Sequence, residues 1–361
     1  MKNAPVRILA RGNEAIAYGA VDAGCRCYFG YPITPQNEIP EMLSSLLPEA
    51  GGQFVQAESE VGSINMVLGA GACGIPAMTS SSSPGISLMQ EGISYMACSM
   101  LPGVIVNMQR GGPGLGGIGP SQGDYFQAVK GGGHGDHRNL VLAPSSCQEC
   151  YDMMFDAFRL AFKYRNPVMV LGDAMVAQIK EPLLRKAPKN APGFEGLEKS
   201  AASWRVEGCA GRAKRLLKSV YLADGELAAR NGLLKKKYDS MRKEVRFQAT
   251  DLDDAQLVVV AFGSMGRIAH STVRKLRAKG CRVGLLRPLT LFPFPDGIIA
   301  ELAGKGAHFL VIEQNLGQMV EDVRLAVNGR ARVTLYSVMP GVFVDAENFV
   351  KPVMDALGDM Q

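Results

Sequence analysis

The sequence predicts an α/β protein built of two parallel-sheet domains, and three observations carry that expectation. Short apolar segments ending in Gly or Pro alternate with segments of helical periodicity through the first 185 or so residues. The same alternation resumes at Asp251. The 361 residues, 47% hydrophobic and 20% charged, suffice for two cores, since single cores rarely grow past roughly 250 residues. Strands alternating with helices imply right-handed crossovers and a mainly parallel sheet covered on both faces, with ligands at the carboxyl ends of the strands.

The first domain, residues 1–185, opens with a helix from Asn13 to Ala23, the strand CYFG, a helix near Gln36 and a strand near QFVQA. Helices follow after Glu60 and Pro84, then the strand VIVNM, a Gly-rich loop, a helix after Ser146 and the strand VMVLG ending at Gly172. Residues 186–250 shift to Lys, Ala, Gly and Pro and then to a charged helical stretch around Leu233 to Lys237, which reads as a basic connector. The last domain, residues 251–361, holds the strands LVVVAFG, VGLLR, HFLVIEQN and RVTLYSV, with helices after Ser264, after Pro295 and from Gln318. Its length of about 110 residues suits an independent domain.

Composition narrows the function classes. Between Lys186 and Arg246 stand 15 Lys and Arg against 7 Asp and Glu, which accounts for the net charge of +5. Without aromatic interleaving or a binding module, this stretch reads as a solvated connector or a surface facing another subunit, with no nucleic-acid partner expected. No run approaches the roughly 20 apolar residues of a membrane span, and the N-terminus lacks the apolar core of a secretory signal, so a cytoplasmic location is expected. Eight scattered cysteines behave as reduced thiols. Cys147 and Cys150 form one CxxC, half of a cluster or zinc ligand set, and Pro144, Ser145 and Ser146 before them suit a helix cap. No metal ligand set is expected in the chain.

Several segments hold candidate chemistry. The loop Gly30 to Pro35 follows a strand and brings Thr34 to the carboxyl edge of a sheet, although Thr34 equally suits a cap for a helix beginning near Pro35. Glu58 and Glu60 precede a run of small residues; one of them, turned into an apolar cleft, would share a proton with a ring nitrogen, whereas both exposed would merely favour a helix start. TSSSSPG, residues 79–85, follows a strand and opens a helix. Arg110 ends VIVNMQ and leads into GGPGLGGIGPSQGD, a loop too rich in glycine to be held by side-chain packing; a ligand is expected to order it, and an arginine there suits a carboxylate. The loop lacks the GK[ST] ending of a P-loop and Rossmann spacing. His134, Asp136 and His137 read as a polar lining rather than a metal set.

Together FGYPITP, ESEVGSINM, the Ser-rich SPG turn and LPGVIVNMQRGGPGLGGIGPSQGDYFQAVKGGGHGDHR resemble the alpha-type chain of 2-oxoacid:ferredoxin oxidoreductases. AFGSMGRIA, LLRPLTLFPFP and VIEQNLGQMVEDVRLAV resemble the transketolase C-terminal-like domain of the same subunit, and GRAKRLLKSVYL is similar to its form in enzymes for branched-chain 2-oxoacids such as 2-oxoisovalerate. The resemblance implies a pyrimidine-type thiamine-diphosphate-binding domain followed by the transketolase C-terminal-like domain. It implies CoA-dependent oxidative decarboxylation of a 2-oxoacid to an acyl-CoA, with electrons passed to ferredoxin. Thiamine diphosphate would lie between this chain and a beta-type subunit that supplies the diphosphate and Mg2+ side. Iron-sulfur clusters and coenzyme A binding would belong to that and to gamma-type and ferredoxin-like subunits, since this chain has neither a GDG followed by paired Asn nor a four-cysteine motif.

Carried residue by residue, the resemblance makes Glu60 the glutamate that hydrogen-bonds the aminopyrimidine ring, turning the cofactor's own nitrogen into a base. It puts Thr34 and Arg110 beside the substrate, with Arg110 on the 2-oxoacid carboxylate, and Gln122 and Asp124 in the same pocket. Pro32, Ile33, Thr34, Glu60 and Ser83 would contact the cofactor. Rival readings are a 2-oxoglutarate-type subunit, another thiamine-dependent chain, a noncatalytic assembly subunit and a nucleotide-binding regulator.

Overall fold

The computed structural model describes residues 6–189 and 191–358, so the outer ends of the first and last expected domains and Asn190 in the connector lie outside the described residues. The chain begins β1 (Val6–Arg11), α1 (Gly12–Ala23), β2 (Cys27–Gly30), α2 (Glu38–Glu49), β3 (Gln53–Gln56) and α3 (Glu60–Ala72). It continues β4 (Ala77–Ser81), α4 (Ser83–Ser99), β5 (Gly103–Gly111), β6 (Gly117–Pro120), α5 (Tyr125–Val129) and β7 (Leu140–Leu142). Then come α6 (Cys147–Tyr164), β8 (Pro167–Asp173), α7 (Ala174–Gln178) and β9 (Lys180–Arg185). The connector contains α8 (Gly193–Ala201) and α9 (Glu226–Met241). The remainder is β10 (Phe247–Thr250), β11 (Leu257–Val260), α10 (Gly263–Arg277), β12 (Val283–Pro288), β13 (Thr290–Phe292), α11 (Asp296–Gly304), β14 (His308–Glu313), α12 (Met319–Val327), β15 (Val333–Ser337) and α13 (Ala346–Gly358).

The larger sheet runs β13-β7-β8-β5-β4-β2-β3, with β6 paired to β5. From β7 to β3 every neighbouring pair is parallel. Its central strands β5 and β8 are buried throughout, which is why they read as continuous apolar runs rather than alternating ones. The chain goes from β2 to β3 on one side and returns to β4 on the other. The β2/β4 pair is therefore where strand order reverses, and the crevice outside the carboxyl ends there is where such sheets bind ligands.

The second sheet, β10-β12-β11-β14-β15, is parallel apart from β10. Its first strand, β10, falls inside the stretch read as connector, because its residues FQAT carry no apolar run and are held by antiparallel pairing to β12. The two sheets do not form separate bodies. Strand β13 pairs with β7 of the larger sheet, and one apolar cluster joins Tyr125 and Val141 to Phe262, Leu291 and Val320. Two further expectations are corrected. The helix expected from Pro35 begins at Glu38 with Asn37 as its cap position, because the Thr34 carbonyl accepts from Arg110 and the Pro35 carbonyl from Asn13 and Gln178. Thr34 does not cap it. The N-terminal strand β1 and strand β9, both missed, form a separate antiparallel pair.

The basic connector uses its charge locally. Arg230 of α9 donates to the Cys98 carbonyl in the last turn of α4 at 2.7 Å, and Lys237 donates to the Arg165 carbonyl at the end of α6 at 3.3 Å. Cations bonded to terminal helix carbonyls satisfy orphan acceptors and complement the helix dipoles. The CxxC pair opens α6 at Cys147, with the Ser146 hydroxyl accepting from the Glu149 N–H; both thiols are buried.

Candidate active site at the carboxyl edge of the first sheet

The ends of β2, β3, β4 and β5 bring together the segments singled out in the sequence. Glu60 opens α3, capped by the Ser59 hydroxyl, which accepts from the Gly62 N–H at 3.2 Å. The two carboxylates of the ESE motif are separated by burial: Glu58 is exposed, whereas Glu60 is only 6% exposed. Among the described residues the single hydrogen bond to the Glu60 carboxylate comes from the Ser81 hydroxyl, at a long 3.4 Å. Gly85, in the first turn of α4, makes room for it. A Cβ at that position would stand 2.4 Å from Glu60 Oε1 and 2.1 Å from Ser81 Oγ.

Among the described residues, Thr79 Oγ1 in β4, Ser82 Oγ at the cap of α4 and Arg110 Nε in β5 are buried without a protein partner. Pro32 and Thr34 are exposed and Ile33 half-buried, forming the rim after β2.

Arg110 is 8% exposed at the end of β5. Its Nη1 donates to the Thr34 carbonyl at 2.9 Å and its Nη2 to the Leu115 carbonyl at 3.1 Å. Each terminal nitrogen retains a second N–H, and no carboxylate pairs with the guanidinium among its hydrogen bonds. The glycine loop beyond it, expected to need a ligand for order, is held by Arg110 at Leu115 and by the β5–β6 pairing. Gly116 is obligatory there: its φ is +61° and a Cβ would lie 1.8 Å from the Gly111 carbonyl oxygen.

Ser83 and Asp124 stand behind Arg110. The Ser83 hydroxyl accepts from the Arg110 backbone N–H at 3.0 Å and donates to Asp124 Oδ2 at 2.6 Å; Asn107 Nδ2 donates to the same oxygen at 2.8 Å. Burial raises the Asp124 pKa, against the pull of the Ser83 and Asn107 hydrogen bonds. Asn107, missed in the sequence, was visible as the one polar residue in the apolar run GVIVNM.

Gln122 has other partners. Expected in the substrate pocket, it is fully buried between the sheets, donating to the Phe262 carbonyl at 2.9 Å and accepting from the Gln314 N–H at 3.1 Å. Its amide is spent on joining the two halves of the molecule. The loop with His134, Asp136 and His137 is also displaced from the strand ends. Ser94 donates to the His134 carbonyl and Tyr95 packs edge-on against its ring, eleven residues along α4 from Ser83, or roughly 16 Å at 1.5 Å per residue. His137 has a lowered pKa because it is buried. Among the described residues no group of three or more His, Cys, Asp or Glu could hold a metal ion. A cleft of about 760 Å³ is a separate, mainly apolar space between the sheets, lined by Ile118, Met175, Ile268 and Phe343; it reaches Thr34 but neither Glu60 nor Arg110.

Known proteins resemble this chain in both halves. Residues 18–206 match the family described as pyruvate flavodoxin/ferredoxin oxidoreductase, thiamine diphosphate-binding, and residues 255–349 match pyruvate:ferredoxin oxidoreductase core domain II. The ketoisovalerate oxidoreductase subunit VorB of Methanothermobacter thermautotrophicus is 49% identical over 97% of this chain and 98% of its own length. The 2-oxoglutarate synthase subunit KorA of Archaeoglobus fulgidus is 39% identical over 87% of this chain and 90% of its own. In fold, the chain matches a solved 2-oxoglutarate:ferredoxin oxidoreductase from Magnetococcus marinus with a TM-score of 0.84 at 24% identity, covering 97% of this chain but 65% of that one. A split-gene transketolase shares the fold at a TM-score of 0.55 and 13% identity, with 96% of each chain covered. The chain therefore belongs to the 2-oxoacid:ferredoxin oxidoreductase family, as a subunit of its alpha type.

Proposed function

We propose that this chain is the subunit that binds the aminopyrimidine side of thiamine diphosphate and receives a branched-chain 2-oxoacid, 2-oxoisovalerate, in CoA-dependent oxidative decarboxylation with reduction of ferredoxin. The observation that carries the reading is Glu60: a carboxylate held at 6% exposure on the crevice of the strand-order reversal, with one long hydrogen bond and its neighbour Gly85 reduced to a hydrogen. That donor and acceptor set fits a flat ring nitrogen heterocycle, with Ser82 and Thr79 hydroxyls still unspent. When bound, the cofactor supplies a carbon nucleophile and an electron sink for the decarboxylated fragment. Glu60 would hold the proton shared with the ring nitrogen. Arg110 would take the substrate carboxylate on its two remaining terminal N–H groups, as a guanidinium fork suits a carboxylate. Pro32, Ile33 and Thr34 would form the rim over the cofactor, with Ser83 at its edge.

The branched-chain assignment rests on the 49% identity to the ketoisovalerate subunit, against 39% for the 2-oxoglutarate subunit. The residues here serve one half of the cofactor, so a beta-type subunit would bind the diphosphate and Mg2+, and gamma-type and ferredoxin-like subunits would complete the coenzyme A and electron-transfer parts with their iron-sulfur clusters. Among the described residues no helix is long and apolar enough to cross a membrane, and all eight cysteines are free thiols; a cytoplasmic assembly accords with both. The test is anaerobic viologen reduction by the purified native complex with coenzyme A, thiamine diphosphate and Mg2+, comparing 2-oxoisovalerate, 2-oxoglutarate and pyruvate. Highest kcat/KM with 2-oxoisovalerate is expected. Preference for another 2-oxoacid discards the branched-chain assignment and keeps the chemistry, and no activity with any of the three overturns both.

A further inference from the structure

We propose that Asp124 is a positioning residue for Arg110 that acts through the Ser83 hydroxyl and does not itself touch the 2-oxoacid. The inference rests on the reading of Arg110 as the holder of the substrate carboxylate.

The parallel ladders of β5 stop before Arg110. The register of β5 with β8 ends at Gln109, and that with β4 ends at Asn107, so the parallel pairings leave the backbone N–H of Arg110 without a strand carbonyl. The pairing with β6 is irregular at this same point. A buried N–H must find an acceptor elsewhere, and it finds Ser83 Oγ at 3.0 Å. Ser83 has one proton and two acceptors within reach: the Arg110 carbonyl at 3.3 Å and Asp124 Oδ2 at 2.6 Å. The shorter distance and the charge of the carboxylate assign the proton to Asp124. That choice fixes the rotation of the hydroxyl and turns a lone pair toward the Arg110 N–H. Without Asp124 the hydroxyl can swing its proton to the Arg110 carbonyl, and the N–H contact then meets the wrong side of the oxygen.

Asp124 is itself held from the strand it supports. Asn107 Nδ2 donates to its Oδ2 at 2.8 Å, and its own N–H donates to Gln109 Oε1 at 3.1 Å. Asn107 and Gln109 are two residues apart on β5 and so share a face, whereas Arg110 projects from the other. The guanidinium accordingly reaches the opposite side, where the Thr34 and Leu115 carbonyls receive it. Asp124 thus has no route to the guanidinium except through the backbone at residue 110. Asn107 and Gln109 on one face are tied through Asp124 to Ser83 and hold the strand end still, and the arginine on the other face is aimed by that stillness. Displacement of a binding group by a fraction of an ångström is costly in catalysis, which is the role left for such a support.

The experiment is a double-mutant cycle in the assembled complex, with kcat and KM for the 2-oxoacid measured by viologen reduction for Ser83→Ala, Asp124→Ala, the double variant, Asp124→Asn and Arg110→Lys. Each of the two alanine variants is expected to raise KM roughly five- to tenfold with a smaller change in kcat, the size of one net hydrogen bond felt through the positioning of Arg110. The double variant is expected to be no worse than the worse single, because the two residues act in series. Asp124→Asn retains an oxygen acceptor and is expected to recover part of the loss. Additive effects in the double variant, or an unchanged KM in Ser83→Ala, overturn the relay; Ser83→Ala removes one oxygen and serves even if Asp124→Ala fails to assemble. Arg110→Lys separates the two readings: an unchanged KM there overturns the assignment of Arg110 itself, whereas a raised KM there with a normal Ser83→Ala overturns the relay alone.

Discussion

Two buried glutamates stand at strand-to-helix junctions of the two sheets, and they differ in one respect. Glu313 ends β14, is fully buried, and accepts from the N–H groups of Gln318 at 3.0 Å, Met319 at 2.8 Å and Val320 at 3.0 Å and from Asn315 Nδ2 at 2.9 Å. Glu60, also buried at 6% exposure, receives one hydroxyl at 3.4 Å. Two arginines repeat the contrast. Arg287 grips Glu149 with both terminal nitrogens and Gln248 with its Nε, whereas Arg110 holds two carbonyls and no carboxylate. Burying a charge without partners costs free energy that packing must offset. A saturated buried charge is therefore architecture: Glu313 caps α12, and the Arg287–Glu149 pair ties the second sheet to α6. On the reading proposed above, an unsaturated one at the sheet's carboxyl edge is a group kept for something that arrives.

The glutamates offer the largest effect. Glu60→Gln is expected to lower kcat by about 10²- to 10⁴-fold, the range of a lost acid-base group, with the melting temperature and complex assembly nearly unchanged. Glu313→Gln turns an amide nitrogen toward N–H donors, so the expectation is the reverse: a loss of about 2 kcal/mol of stability and near-normal turnover in the folded fraction. Thermal unfolding beside viologen reduction separates the two. Equal losses of stability in both variants, or normal turnover in Glu60→Gln, would break the contrast.

The arginines sharpen it. Lysine keeps the charge but loses the fork. Arg110→Lys is expected to raise KM for the 2-oxoacid by about tenfold with little change in melting temperature, the size of a lost charge-assisted hydrogen bond. Arg287→Lys is expected to leave KM alone and to lower stability by about 2 kcal/mol, since its partner carboxylate loses half of its donors. A shift of KM in Arg287→Lys would show that saturation does not divide architecture from site.

How much of this the sequence discloses depends on how local the cause is. The buried parallel strands were legible because β5 and β8 are apolar along their whole length, and the start of α6 was legible because Ser146 and the apolar spacing behind it are adjacent in sequence. Strand β9 was not, since Lys180, Glu181 and Pro182 carry no strand pattern and only the pairing to β1 defines it. Within the candidate site, the places of Arg110 near the end of β5 and of Thr34 in the loop after β2 were legible from the apolar strands before them, and that of Glu60 at the start of α3 from its motif. Gln122 sits in the same PSQGD segment as Asp124, yet its partners lie 140 and 192 residues away, so nothing nearby distinguishes an interface amide from a pocket amide. The choice between Glu58 and Glu60 is likewise a matter of burial, two residues apart.

Lys237 is the smallest of the tests and guards against reading every uncomfortable charge as a site. Burial, and after it the neighbouring Arg230 and Arg165 guanidiniums, push its pKa down to about 7, with Cys98 the one opposing influence. It sits where α9 docks on the end of α6, away from the strand edge, so its discomfort is a cost of docking and not a reserve for chemistry. The sign follows from linkage. Between about pH 7 and the ordinary lysine value of 10.5 the unfolded chain holds a proton that the folded chain has released, so stability rises with pH across that window; below it both states are protonated and the full penalty applies. Thermal unfolding of the wild type is therefore expected to shift upward from pH 7 to 9.5. Lys237→Met keeps the apolar stem and removes the charge, so it is expected to raise stability at pH 7 and to flatten the difference between the two pH values, while kcat and KM stay unchanged. A slope that survives in Lys237→Met would assign it to other titrating groups, and a change in KM would mean that the connector's charge reaches the site after all.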